Sequence, residues 1–286
     1  MPLLGKRGRN MKLDNQSMKK FLTSSAVPIL FILISAVAIP ISKFTGIYLI
    51  REIVTRLSRD SFLVLALLLP VMAGMGINFG MVLGAMAGQI GLIFITDWGI
   101  KGAAGLVLAM IIGTPIAILL GYFGGVVLNR AKGREMITSM MLGFFIAGIY
   151  QFFLLYLCGS IIPIKSPTLL LSRGYGIRNA INLDATGGFD KLLLINIGGV
   201  PIPVGTFLII ALICIFTMWF RKTKLGQEMR AVGQDMTVSE TAGIKVEKTR
   251  IQSIIISTVI ACYGQVIYLQ NIGTLNTYNG SDQAAL

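Results

Sequence analysis

Long runs without a charged side chain, separated by short clusters of Lys and Arg, dominate this chain. A helix needs about 20 apolar residues to cross a bilayer. Charge-free stretches of at least that length cover 21–42, 61–96, 102–129, 136–164, 192–220 and 251–281. The stretch 61–96 would measure about 54 Å as straight helix, too long for one crossing and slightly short for two. Its Pro70 and dense glycines predict two short or broken crossings, with breaks around Gly74 and Gly76. The pattern therefore predicts an all-α polytopic membrane helix bundle of about seven spans. A basic tail over 1–20 precedes spans one to six within 21–220, a polar loop fills 221–250, and a seventh span lies in 251–286.

Small residues repeat every fourth position at Gly76, Gly80, Gly84 and Gly88, and again along Gly105, Ala109, Gly113, Ala117, Gly121 and Gly125. Spacing of four puts each set on one stripe of a helix, where a neighbouring backbone can approach closely. Such stripes serve helix packing, and they also fit a broken helix lining a solute path.

Composition narrows the class. Of 286 residues, 55% are hydrophobic and 13% charged, against about 25% charged in a soluble domain, and the mean hydropathy is +0.79. Too little charged surface exists to cover a water-soluble globule. The chain has no histidine, which removes histidine-dependent hydrolases, HExxH zinc proteases and histidine-ligated haem. No cofactor, metal site or catalytic residue is expected. Cys158, Cys214 and Cys262 fall inside the predicted spans, where small apolar packing is their expected role. The formal charge of +13 is spread between apolar runs, which fits loops flanking a bilayer and not a nucleic-acid surface.

Orientation follows from the cations. With the N-terminus in the cytoplasm, inner segments 1–20, 129–136 and 221–250 hold 16 of the 25 Lys and Arg, although they are shorter in total than the outer ones. The basic tail and first apolar run also have the outline of a secretory signal, with Ala36-Val37-Ala38 as its cleavage site. The run is long enough to span and Pro40 lies just beyond the cut, so an uncleaved helix is favoured.

The predicted spans carry no Asp, Glu, Lys or Arg, whereas an ion-coupled carrier usually keeps one there. Their polar side chains are neutral: Asn78, Gln89, Tyr150, Gln151, Tyr156, Tyr263, Gln265 and Gln270. Amides, hydroxyls and rings suit a polar uncharged solute, and they suit interhelical hydrogen bonds equally. Asn78, Gln89, Gln151, Tyr263 and Gln265 are the translocation-path candidates. An ion-coupled or facilitative secondary transporter is the alternative to the reading reached below.

The loop 221–250 contains two helix-like pieces. Leu225, Met229 and Val232 form one apolar face, with Gly233 placed as its C-terminal cap and as a residue requiring positive φ. Asp235 then caps a second piece from Met236 to Ala242, stopped by Gly243. The run T-x-L-G-x-x-x-R-A-V-G-x-D, at Thr223, Leu225, Gly226, Arg230, Ala231, Val232, Gly233 and Asp235, is followed by A-G-I-x-V at Ala242, Gly243, Ile244 and Val246. It resembles the cytoplasmic loop of bacterial ABC importer permeases of the branched-chain amino acid, ribose-type sugar and nucleoside branch. Upstream, Gly76 to Ala85 resembles that branch's G-I-(N/D)-x-x-x-G-x-x-A element.

The resemblance implies a multi-pass inner-membrane subunit that performs no covalent chemistry and moves a sugar, nucleoside or similar solute by alternating access. Implied partners are ABC ATPase subunits, a second permease in a homo- or heterodimer, and an extracytoplasmic solute-binding protein. The ATPase would dock on Leu225, Gly226, Met229, Arg230, Ala231, Gly233, Asp235, Gly243 and Ile244. About ten spans in two inverted halves are implied, so the pattern would continue into further spans where this chain reaches Leu286. Ser239-Glu240-Thr241 departs from the small apolar residues more common there.

Overall fold

A computed structural model describes residues 26–42, 44–76, 79–183, 194–197 and 200–278. The chain divides into two units, Met1–Glu52 and Ile53–Leu286. In the first, α1 (Ala26–Ser42) has no charged residue and exposes Phe31, Ile32 and Leu33. Helix α2 (Gly46–Met72) begins in that unit, and its residues from Ile53 onward belong to the second.

The second unit is built on α3 (Met81–Trp98), α4 (Gly102–Arg130) and α9 (Val246–Ile272). Missing side chains let these three meet backbone to backbone. A methyl group at Gly84 would lie 2.1 Å from the Thr258 carbonyl oxygen, and one at Gly88 would lie 2.7 Å from that of Cys262. At Gly91 it would meet the Ala109 carbonyl at 2.4 Å, at Gly113 the Cys262 sulfur at 2.7 Å, and at Gly121 the Thr258 hydroxyl at 2.2 Å. The order of these approaches makes α3 parallel to α9 and α4 antiparallel to both. Around the seam lie Leu83, Met86, Leu92, Ile95, Leu106 and Val266.

Two helices complete the packing. The part of α2 from Phe62 onward runs antiparallel to α9: Phe62 covers Gly264, and the Ser257 hydroxyl donates to the Ala66 carbonyl at 2.6 Å. Helix α5 (Glu135–Phe152), continued by a π-helical turn over Phe153–Leu157, buries Leu142, Ile146 and Tyr150. After it, β1 (Ala180–Asn182) pairs antiparallel with β4 (Thr274–Asn276), which follows α9 directly. Antiparallel β2 (Leu194–Ile197) and β3 (Val200–Pro203) lead into α6 (Val204–Phe220). A 75° bend separates α6 from α7 (Lys224–Gln234), and α8 (Met236–Thr241) precedes α9.

The chain is a mostly helical membrane bundle. Among the described residues four helices are long and apolar enough to cross a bilayer, α3, α4, α5 with its π turn, and α9; α6 and α7 together make a fifth, bent one. The stretch 61–96 breaks between Met72 and Met81, with Gly74 at φ 73° and Gly76 at φ 64°. Its first piece, however, runs back without interruption through Arg51, Glu52, Arg56 and Asp60 to Gly46. Two antiparallel strand pairs, β1 with β4 and β2 with β3, depart from the all-helical expectation. The last five residues of 221–250 are the first turn of α9, which shortens the expected loop.

Candidate coupling site

The segment after α6 turns sharply because Gly226 allows it: a methyl group there would lie 2.2 Å from the Phe220 carbonyl oxygen. The Thr223 hydroxyl caps α7 by accepting from the Gly226 N–H at 3.3 Å. Met229 and Val232 are buried, with Leu225 beside Met229 in a cluster that includes Leu69, Ala73, Met75 and Phe220. Asp235 caps α8, its Oδ1 accepting from the N–H groups of Thr237 at 2.8 Å and Val238 at 3.0 Å. Gly243, at φ 84°, turns the chain toward α9.

Gly233 does not end α7, which continues to Gln234, and it is absent from the positive-φ glycines. Its missing side chain matters for another reason. A methyl group at Gly233 would lie 2.2 Å from the Met72 carbonyl oxygen, and one at Gly74 would lie 3.0 Å from the Gly233 Cα. Backbone therefore rests on backbone where α2 breaks. On the other side of the break, the Phe79 N–H donates to the Ser139 hydroxyl on α5 at 3.2 Å. Local spacing reveals a glycine but not what it touches, which is why the cap expectation does not hold.

Arg250, on the first turns of α9, is fully buried. Its guanidinium pairs with Glu135 at the start of α5, and its Nη1 reaches the Met236 sulfur at 3.7 Å. The start of α5, α8 and α9 are thus tied at one end of the bundle. Sequence pattern places Arg250 in a polar loop and misses this role; its partner is 115 positions away. Asp97, near the end of α3, is likewise missed: it is buried and accepts from the Ser166 N–H at 2.8 Å. Glu135, Arg250 and Asp97 thus stand near the ends of their helices.

The coupling candidates divide between two surfaces. Leu225, Gly243 and Ile244 line one groove of about 620 Å³ with Lys224, Glu228, Lys245 and Lys248. Arg230 lies apart from it, against α6 with Trp219 and Arg221. Gly226, Met229 and Ala231 are internal or half-buried supports of α7, and exposed Asp235 acts as a cap.

The described translocation-path candidates have different surroundings. Gln89 on α3 and Gln265 on α9 are fully buried, and no described residue hydrogen-bonds either amide. Tyr263 shares a 2.9 Å hydrogen bond with Thr114. Gln151 is exposed and donates to the Tyr278 carbonyl at 2.7 Å. Asn78 lies outside the described residues. Among the packing candidates, Gly80 precedes α3 as its cap residue. At Gly76 a methyl group would meet nothing within 4 Å, so its φ of 64° is what requires glycine.

Among the described residues no group of His, Cys, Asp or Glu is arranged to hold a metal ion. One curated relative, the nucleoside ABC transporter permease protein NupB of Lactococcus lactis subsp. cremoris (strain MG1363), is 26% identical over 161 residues. That match covers 56% of this chain and 42% of the relative, so less than half of the relative's length is spanned. No solved structure matches. Residues 49–284 match the family described as branched-chain amino acid transport system / permease component, and with that match extending over most of the bundle, the chain belongs to this permease family.

Proposed function

We propose that this chain is the permease subunit of an ATP-driven importer, moving a small polar solute across the bacterial inner membrane by alternating access. The observation that carries the reading is the contact of Gly233 with the α2 break at Met72 and Gly74. A push on α7 is transmitted to a place where a long apolar stretch is already unwound. Packed backbones have two discrete arrangements more readily than a continuum, so this contact suits a two-state device. ATPase subunits would seat in the groove lined by Leu225, Gly243 and Ile244. Gln89 and Gln265, neutral and unpartnered among the described residues, favour an uncharged hydrogen-bonding solute; the nucleoside permease relative adds nucleosides to that class.

In this proposal the chain supplies seven spans of a ten-span inverted-repeat permease, with its N-terminus in the cytoplasm. A second permease and an extracytoplasmic solute-binding protein complete the complex. Gly233→Ala and Ile244→Asp separate transmission from docking when a reconstituted complete importer is assayed. Gly233→Ala should keep ATPase co-purification yet lower ATP-dependent uptake about tenfold or more, since overpacking costs about 1–3 kcal/mol. Ile244→Asp should lower co-purification itself. Full uptake and full association in both variants would overturn the coupling assignment, and uptake without ATP would favour a facilitative carrier.

A further inference from the structure

The bend between α6 and α7 forms a corner of about 450 Å³ lined by Ile215, Met218, Trp219, Arg221, Lys222 and Arg230. Three cations meet there without an acidic residue in the lining. Among the described residues, none of the three forms an ion pair. Below them, Leu208, Leu212, Ile215 and Trp219 follow one another at spacings of four, three and four, which places them on a single face of α6. Each is between 58% and 66% exposed. The stripe rises about 16 Å, close to half of the roughly 30 Å hydrocarbon core of a bilayer.

These dimensions describe one leaflet. An indole favours the boundary between hydrocarbon and headgroup, and Trp219 stands there at the head of the stripe, next to Arg221 and Lys222. We propose that this corner holds one anionic phospholipid, its phosphate against Arg221, Lys222 and Arg230 and an acyl chain along Leu208 to Trp219. Charge complementarity selects the occupant: an uncharged or zwitterionic lipid fills the stripe equally well but leaves three cations without a net counter-charge. The site is separate from the groove of Leu225, Gly243 and Ile244, so it does not depend on ATPase docking.

The chain has two tryptophans, so Trp98→Phe leaves Trp219 as the sole indole reporter. The full chain carrying that change is reconstituted in phosphatidylcholine vesicles containing either brominated phosphatidylglycerol or brominated phosphatidylcholine, and Trp219 fluorescence is titrated. Brominated phosphatidylglycerol should quench with about fivefold higher apparent affinity, a preference that falls with added salt. Replacing Arg221, Lys222 and Arg230 together by Gln should bring the two lipids to parity, while Arg230→Lys should keep the preference. Equal quenching by both lipids in the Trp98→Phe chain would mean a general lipid boundary and would overturn the proposal. Quenching by neither would mean that a second copy or another protein covers this face, which overturns it as well. An unsubstituted chain purified from mixed micelles supplies a test free of folding effects: it should retain phosphatidylglycerol in preference to phosphatidylcholine, and equal retention again overturns the proposal.

Discussion

At Gly84 the methyl group of an alanine would sit 2.1 Å from the Thr258 carbonyl oxygen and 3.0 Å from the Ala261 Cβ, with no flexible side chain to move. Gly148, on the exposed side of α5, has nothing within 4 Å of the same position. The two sites therefore separate packing from helix propensity. Gly84→Ala should lower the thermal unfolding midpoint of the purified chain in detergent, with a cost of about 1–3 kcal/mol or more from overpacking. Gly148→Ala should be neutral or stabilising by about 0.5–1 kcal/mol, the ordinary gain of Ala over Gly in a helix. Equal effects at the two positions would show that close backbone approach is not what Gly84 provides. The four-residue spacing was legible in the sequence because it depends only on local periodicity. What each glycine faces was not: Gly76 belongs to the same run but answers to a positive φ, and Gly233 resembles a cap but serves a contact.

Between elements, the buried Arg250 is the connection with the most at stake. It joins α9 to the first residue of α5 through Glu135 and touches Met236 of α8. Removing one partner of a buried pair leaves an uncompensated charge and costs about 3–5 kcal/mol, whereas replacing both by apolar residues is often neutral. Glu135→Leu leaves the fully buried Arg250 without its counter-charge and should therefore destabilise the chain strongly, and adding Arg250→Met should recover most of the loss, as read from thermal unfolding in detergent. A double variant as unstable as the single one would argue against the pair as the cause. Asp235 shows the opposite case, an element boundary that sequence does specify. Its cap needs only the two N–H groups that follow it, so nothing distant had to be known. The β1 and β4 pairing depends on residues more than 90 positions apart, and no local pattern in Ala180–Asn182 or Thr274–Asn276 announces it.

For the whole molecule, the proposed topology puts 221–250 on the cytoplasmic side, on the distribution of Lys and Arg. Gln234, at the exposed end of α7, is suited to test this. A cysteine there, in a chain lacking Cys158, Cys214 and Cys262, should resist an impermeant thiol reagent in intact cells and react after permeabilisation. A cysteine at the exposed Ser172 should react in intact cells. Strong labelling at Gln234 before permeabilisation would invert the proposed topology. The membrane class of the bundle was written into charge-free length, which the local order of residues alone controls. The arrangement of helices was not, because α3, α4 and α9 come together through residues from both ends of the second unit.

The pairing of β4 with β1 fixes one end of α9. Beyond it, the Thr277 N–H donates to the Asn179 carbonyl at 2.7 Å, and the Tyr278 hydroxyl donates to the Ile177 carbonyl at 2.9 Å. The opposite end of the helix carries Arg250 and adjoins α8. With 27 residues, α9 is about 40 Å long. Held at one end, it behaves as a lever with its fulcrum at the strands: a swing of about 5° moves the far end by roughly 3.5 Å over that length. Because α3 and α4 lie against its shaft at glycines that leave no room for a methyl group, such a swing has little slack to absorb it and must carry both neighbours along.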